Sequence, residues 1–296
     1  MITRIAPAKI NLFLRVCGKT RNGYHRLDSV IAFTDFGDKL TVTTDAKNGV
    51  QDRLYIGGPF ASMLAPRQYK SPKVGQQQSY NSDNLVMRAI AAFRAAGGRI
   101  GPVEITLEKH IPVGAGLGGG SANAAATLRL VNKQARRPLD NKTLYEIAAK
   151  LGADVPVCLG CFSARVAGIG TKYTRYPVKG APVLLVNQRQ PLSTAAVFGQ
   201  YNAVPSRGAG ELNSSDPATL LAYGNDLLAP ACRLVPEINA ILGQLRAAPG
   251  CMAATMSGSG ASCLGIFTSP DQATAAAAAL RGVGYWTMPT SIKSCN

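Results

Sequence analysis

Apolar and polar positions in this chain switch repeatedly between a period of two and a period near 3.6, which predicts mixed α and β structure. Residues 2–16 form an apolar, strand-like run that Ala6-Pro7-Ala8 interrupts, and DKLTVTT at 38–44 reads as a second strand. Residues 45–82 carry little pattern and are rich in Gly, Pro, Gln and Lys, which predicts a long surface excursion. Asp83 then predicts an N-cap for a helix through NLVMRAIAAFRAA, ended by Gly97-Gly98. VEITLE at 103–108 alternates as a strand, a glycine-rich turn follows at 112–120, and 121–134 has helical composition. Asp140 predicts the cap of another helix, stopped at Gly152, with Leu144, Ile147, Ala148 and Leu151 on one face.

Beyond residue 160 the pattern restarts. Strands are predicted at 163–169 and 182–187, and helices near 195–202, 225–232, 236–247 and 270–281. A second glycine-rich segment, MSGSGAS at 256–262, precedes the short apolar strand LGIF. A domain boundary is expected around 155–180, without a long flexible linker.

Composition narrows the class. The chain has 296 residues, enough for two domains, and with 46% hydrophobic and 16% charged residues it predicts a globular protein. The net charge of +16 favours anionic partners, either small molecules such as nucleotides or nucleic acid. The Lys and Arg residues are dispersed and not interleaved with aromatics, which reads as a solvated basic surface; no nucleic-acid partner is expected. Seven irregularly spaced cysteines predict free thiols, and Cys158-x-x-Cys161 has no second pair or nearby His to complete a zinc site. Arg4, Pro7 and Lys9 break any secretory h-region, and no stretch approaches the roughly 20 apolar residues of a membrane helix. A soluble, cytoplasmic protein is expected.

Four segments carry candidate chemistry. The sharpest comprises Pro112, Val113, Gly114, Ala115, Gly116, Leu117, Gly118, Gly119, Gly120, Ser121 and Ala122, after a predicted strand and opening a predicted helix. Its turned backbone and the following helix N-terminus can cradle a phosphate. It lacks the Gly-Lys-Ser/Thr of a Walker A loop, and no acidic residue suited to a dinucleotide fold follows it. In Gly152-Ala-Asp154-Val-Pro156, Asp154 reads as a helix cap, as a carboxylate orienting a substrate hydroxyl, or as both. Lys9, inside an apolar strand run, either points into a wet cleft, meets a carboxylate, or faces water from an edge strand, and Asn11 shares its strand face. Asn22-Gly-Tyr24-His25 reads as a hairpin turn with a partly buried Tyr, or as an aromatic and an imidazole presented to a ring.

Together these segments resemble the GHMP kinase superfamily, and within it the 4-diphosphocytidyl-2-C-methyl-D-erythritol kinases. Pro112–Ala122 and MSGSGAS carry the broad likeness; PAKINLFLRV at 7–16, NGYH at 22–25, GADVPV at 152–157 and Asn225-Asp226-Leu227 carry the narrow one. The resemblance implies an α+β, two-domain GHMP kinase fold. An N-terminal domain over 1–165 would be like domain 2 of ribosomal protein S5, and a C-terminal domain over 166–296 would be ferredoxin-like. It implies ATP with Mg²⁺, and a cytidine diphosphate ester of methylerythritol as the small-molecule substrate, phosphorylated on its 2-hydroxyl. Asp154 would accept the hydroxyl proton, and Lys9 would keep Asp154 ionised and stabilise developing charge. Asn11, Tyr24, His25, Ile169, Thr194 and Phe198 would contact the substrate, with Phe198 stacking opposite Tyr24 around cytosine. One position departs from the family pattern: Ala167 stands where relatives often carry an acidic residue, so no metal ligand is assigned.

Overall fold

The computed structural model describes residues 1–44, 51–64 and 84–293. Two long neighbouring strands come first, β1 (Ile2–Lys19) and β2 (His25–Thr43). The expected break at Ala6-Pro7-Ala8 does not occur, and β1 runs through it. Proline's fixed φ suits extended backbone, so the strand loses only one N–H there. β2 starts at His25, well ahead of the expected residue 38. The hairpin between them is closed by hydrogen bonds from the Thr20 amide to the Tyr24 carbonyl and from the Gly23 amide to the Thr20 carbonyl.

The chain divides into two compact units, each discontinuous in sequence. The first comprises Met1–Ala8, Gly37–Val113 and Gly119–Cys161; the second comprises Lys9–Phe36, Gly114–Gly118 and the chain from Phe162 onward.

In the first unit β3 (Arg53–Gly57) pairs in parallel with β4 (Glu104–Glu108), and β4 pairs antiparallel with the C-terminal end of β2, Lys39 opposite Glu108. β3 lies inside the segment expected to be an unpatterned excursion, so that expectation is corrected for its described part; residues 45–50 and 65–82 lie outside the described residues. Four helices pack on one another: α1 (Leu85–Ala95), α2 (Gly119–Gln134), α3 (Asn141–Leu151) and α4 (Val155–Gly160). α1 buries Val86, Ala89, Ile90 and Phe93, the spacing of one helical face. Asn84 caps it, its side chain accepting from the Val86 amide; Asp83, the expected cap, lies outside the described residues. Asp140 caps α3 as predicted, accepting from the Thr143 amide at 2.7 Å. α2 starts at Gly119, two residues before the helical composition begins, so the last glycines of the loop form its first turn.

In the second unit the N-terminal end of β2 pairs antiparallel with β5 (Ala164–Gly168), Leu27 opposite Gly168, and β5 pairs with β6 (Lys172–Arg175). A separate antiparallel sheet contains β7 (Pro182–Asn187), β8 (Cys251–Met256), β9 (Cys263–Phe267) and β10 (Trp286–Ser291), in the order β10-β7-β9-β8. The helices here are α5 (Thr194–Gly199), α6 (Pro217–Leu221), α7 (Leu228–Leu234), α8 (Glu237–Ala247) and α9 (Pro270–Gly282). α8 and α9 pack on this sheet. Ile238, Ile241 and Leu245 of α8 and Ala273 and Ala277 of α9 join Leu184, Val186 and Phe267 in one core. No described helix is long and apolar enough to cross a membrane.

Candidate active site

The glycine loop is held by its backbone. Gly116 has φ +72°, a left-handed value that favours glycine. A Cβ there would stand 2.3 Å from the Ser257 carbonyl oxygen and 2.8 Å from that of Gly260. The loop is fastened to the second glycine segment. Ser257 Oγ donates to the Gly116 carbonyl (3.0 Å), and the Ser262 amide donates to the Ala115 carbonyl (3.1 Å). The Leu192 amide closes on the Gly114 carbonyl at 3.2 Å. Gly119 then opens α2, a sixteen-residue helix whose first N–H groups lack intrahelical partners.

Strand β1 meets the same loop. Residues 6–14 are buried without alternation, so Lys9, 6% exposed, does not face water from an edge strand, and that alternative is set aside. The Lys9 amide donates to the Leu117 carbonyl (2.9 Å), and Lys9 Nζ donates to Asn11 Oδ1 (2.9 Å). Asn11 Nδ2 donates to Ser29 Oγ (2.8 Å), and the Asn11 amide donates to Ser257 Oγ (3.2 Å). Ser257, fully buried, therefore accepts from the β1 backbone and donates to the glycine loop.

A second locus surrounds the β1–β2 hairpin. A cavity of about 420 Å³ is lined by Lys19, Gly23, Tyr24, His25, Leu27, Ile169, Phe198 and Gly199. Four of the predicted substrate residues, Tyr24, His25, Ile169 and Phe198, thus come together. Tyr24 is 64% exposed, not partly buried as the hairpin reading had it. Phe198 stacks on the His25 ring, with centroids 4.7 Å apart, and Tyr201 meets His25 edge-on at 5.8 Å. Desolvation, with the Lys19 charge adding to it, holds the His25 pKa below its ordinary value, which favours a neutral imidazole. Its Nε2 is buried and has no hydrogen-bond partner. With His25 neutral, Lys19 is the charged residue of this lining, so the cavity suits a neutral planar ring attached to an anionic group.

Thr194 is elsewhere: its hydroxyl pairs with Ser259 Oγ at 2.8 Å, on the second glycine segment. Asp154 stands at the head of α4, in the first unit, with Pro156 in the first turn. It occupies the N-cap position, as the cap reading expected, but its side chain makes no capping hydrogen bond. Asn225 Nδ2 donates to the Met256 and Gly258 carbonyls, both at 2.8 Å, while its Oδ1 accepts from Leu227. That anchoring moves the start of the helix expected at 225 to Leu228. Asp226 accepts from the Val16 amide and from Ser206 Oγ.

Several contributors were not singled out in the sequence. Ser257 lies in a segment noted for its glycines, not for its hydroxyl. Asp28 and Ser29 lie in a stretch given no sequence reading, and both are buried. Asp28 is desolvated, but two hydrogen bonds from Arg165 and one from the Ala209 amide outweigh this and hold its pKa below the ordinary value. A buried pair, Asp38 and Lys109, underlies the start of the glycine loop.

Comparison with known proteins gives a consistent result. Residues 84–161 match the family model for the GHMP kinases N terminal domain, and 212–285 match that for the GHMP kinases C terminal domain. The chain is 39% identical over 302 residues to a 4-diphosphocytidyl-2-C-methyl-D-erythritol kinase of Parvibaculum lavamentivorans, covering 96% of each. It is 40% identical to the kinase of the same name from Cereibacter sphaeroides, covering 98% of each. A crystal structure of 4-(cytidine 5'-diphospho)-2C-methyl-D-erythritol kinase superposes with a TM-score of 0.78 at 31% identity, over 99% of this chain and 100% of that one.

Proposed function

Because the chain belongs to the 4-diphosphocytidyl-2-C-methyl-D-erythritol kinase family of the GHMP kinases, we propose that it transfers the γ-phosphoryl group of ATP to the 2-hydroxyl of 4-diphosphocytidyl-2-C-methyl-D-erythritol, a step of the non-mevalonate route to isoprenoid precursors. One observation carries the reading most: Gly116 and Leu117 are hydrogen-bonded to Ser257 and Lys9, so the phosphate loop and the strand bearing Lys9 and Asn11 form one framework. Phosphoryl transfer depends on such positioning and on charge stabilisation.

In this mechanism Pro112–Ala122 binds the ATP phosphates through its amides and the α2 N-terminus. Asp154 accepts or orients the proton of the substrate hydroxyl. Lys9 stabilises the charge that develops on the transferred group. Asn11 and Thr194 orient the alcohol, while Tyr24, His25, Ile169 and Phe198 take the cytosine. The orphaned Nε2 of His25 and the exposed ring of Tyr24 fit a polar, planar base. In sequence, the phosphate loop falls to an N-terminal domain, 1–165, and Ile169, Thr194 and Phe198 fall to a C-terminal domain, 166–296.

Mg²⁺ accompanies ATP in this reading and, when bound, neutralises charge on the β- and γ-phosphate oxygens. No three His, Cys, Asp or Glu side chains converge as a cation cage among the described residues. The fit is to a cation brought by the nucleotide, which needs few protein oxygens because phosphates and waters fill its shell. The net charge of +16 suits two anionic substrates, and we place the reaction in the cytoplasm.

The test is ADP release by the purified protein with Mg-ATP. The acceptors are 4-diphosphocytidyl-2-C-methyl-D-erythritol, the same compound without its cytidylyl group, homoserine and mevalonate. Turnover confined to the cytidylyl compound is expected. Turnover with another alcohol would overturn the cavity assignment, and a folded protein that binds ATP but turns over none of them would overturn the kinase.

A further inference from the structure

The first unit holds a buried ion pair that the proposed mechanism does not use. Asp38, on β2, is fully buried, and Lys109, just beyond β4, is 3% exposed. Lys109 Nζ donates to Asp38 Oδ2 and to the Ile111 carbonyl, each at 2.6 Å. Asp38 Oδ1 also accepts from the amides of His110 and Ile111, both at 2.7 Å. These are the two residues that precede Pro112, the first stem of the glycine loop. The second stem begins at Gly119, where a Cβ would lie 3.1 Å from Lys109 Nζ and 3.3 Å from Ile111 Cγ2. One carboxylate thus fixes the way into the loop, and its ammonium partner fills the space beneath the way out.

Two further observations give the pair rigidity. The Lys109 amide donates to the Gly57 carbonyl (2.7 Å), and the Phe60 amide donates to the Lys109 carbonyl (3.2 Å), so the lysine backbone is held on both sides. Burial pulls the Lys109 pKa down while Asp38 opposes that pull, so its charge depends on its partner. An isolated buried ion pair is weak support for stability, because desolvation offsets most of the attraction. Its value here is geometric.

We infer that Asp38 and Lys109 are a positioning pair for ATP: they set the separation of the two stems of the phosphate loop, and with it the placement of the loop amides around the phosphates. The inference rests on reading Pro112–Ala122 as the ATP phosphate loop. Neither residue touches the alcohol substrate in this account, so the pair acts on the nucleotide through its phosphates alone.

The test uses the full-length double variant Asp38→Asn/Lys109→Met, which removes both charges together, nearly preserves volume and leaves no unpaired ion. KM for ATP should rise about tenfold, which is the ~1.4 kcal/mol expected from losing about one charge-assisted hydrogen bond. KM for the alcohol and affinity for adenosine should stay within twofold. A folded double variant with wild-type KM for ATP overturns the inference, as do equal rises for both substrates. A second measurement needs no variant. Amide hydrogen exchange at His110 and Ile111 in the wild-type protein should slow on binding ADP but not adenosine; unchanged exchange with ADP overturns the inference. Wild-type protein that binds ADP no more tightly than adenosine would instead refute the phosphate-loop reading, and this inference with it.

Discussion

Replacing Gly116 with alanine asks the most of the glycine loop, and its cost can be worked from the structure. The residue has φ +72°, where a non-glycine side chain costs about 1–2 kcal/mol. Its new Cβ would stand 2.3 Å from the Ser257 carbonyl oxygen, a backbone atom, so the loop must move. Ser257 cannot easily yield, because its amide is bonded to the Ser262 carbonyl and its carbonyl to the Gly260 amide. The displaced loop loses the Ser257–Gly116 and Ser262–Ala115 hydrogen bonds, each worth about 1 kcal/mol. The total is about 3–4 kcal/mol. Gly97→Ala is the control: φ is +93°, but no atom lies within 4 Å of its Cβ, so only the strain of about 1–2 kcal/mol applies. Urea unfolding of both variants at constant m-value, with KM for ATP, measures the difference. The reasoning is refuted if Gly116→Ala unfolds at the same midpoint as Gly97→Ala and binds ATP normally.

Other outcomes follow from the same structure. Asp154→Asn should lower kcat by about 10²–10⁴ with KM for ATP nearly unchanged; a variant with wild-type kcat would remove the carboxylate from proton transfer. Tyr24→Ala, at an exposed ring, should raise KM for the alcohol about tenfold from lost stacking of about 1–1.5 kcal/mol, with KM for ATP unchanged; parallel rises would remove Tyr24 from the base site. His25 binds its proton less readily when folded than when unfolded. Acid therefore favours the unfolded chain, so the His25 contribution is complete above its ordinary pKa of 6.5 and is lost as pH falls below it; His25→Gln should flatten that limb of the stability curve. Asp28 has the complementary dependence: its folded pKa lies below 3.8, so its contribution is present above that value and lost at lower pH. Arg165→Met should cost about 2 kcal/mol at pH 7 and progressively less in acid, read by urea unfolding at both pH values.

What the sequence made legible was local. The glycine loop, the Asp140 cap and the face of α3 each depend on neighbours within a few positions, where spacing and side-chain chemistry decide the outcome. The N-terminal half of β2 was missed because a period-of-two reading treats polar residues as outward-facing, whereas Asp28 and Ser29 are buried by partners on other strands. Lys9 stood out as a charge in an apolar run, but only its burial and its bond to Asn11 show that it does not face water from an edge. Ser257 was beyond reach for a similar reason: its hydroxyl bridges Gly116, 141 positions away, and Asn11, 246 away. The tie between the stretch carrying the glycine loop and the stretch carrying Lys9 is written in no single window of the chain.

The discontinuous units restrict how such a protein can be recombined. The chain changes unit after Ala8, Phe36, Val113, Gly118 and Cys161, so no single crossover separates one unit from the other. A chimera of two relatives joined after Cys161 would draw its first unit wholly from one parent, yet its second unit would be a mosaic. Tyr24 and His25 would come from one parent, and the Ile169 and Phe198 that face the same cavity would come from the other. Exchange of halves between lineages therefore alters the lining of this cavity at the moment of joining, and the lining can pass intact only with the whole chain or by substitutions made in both halves together.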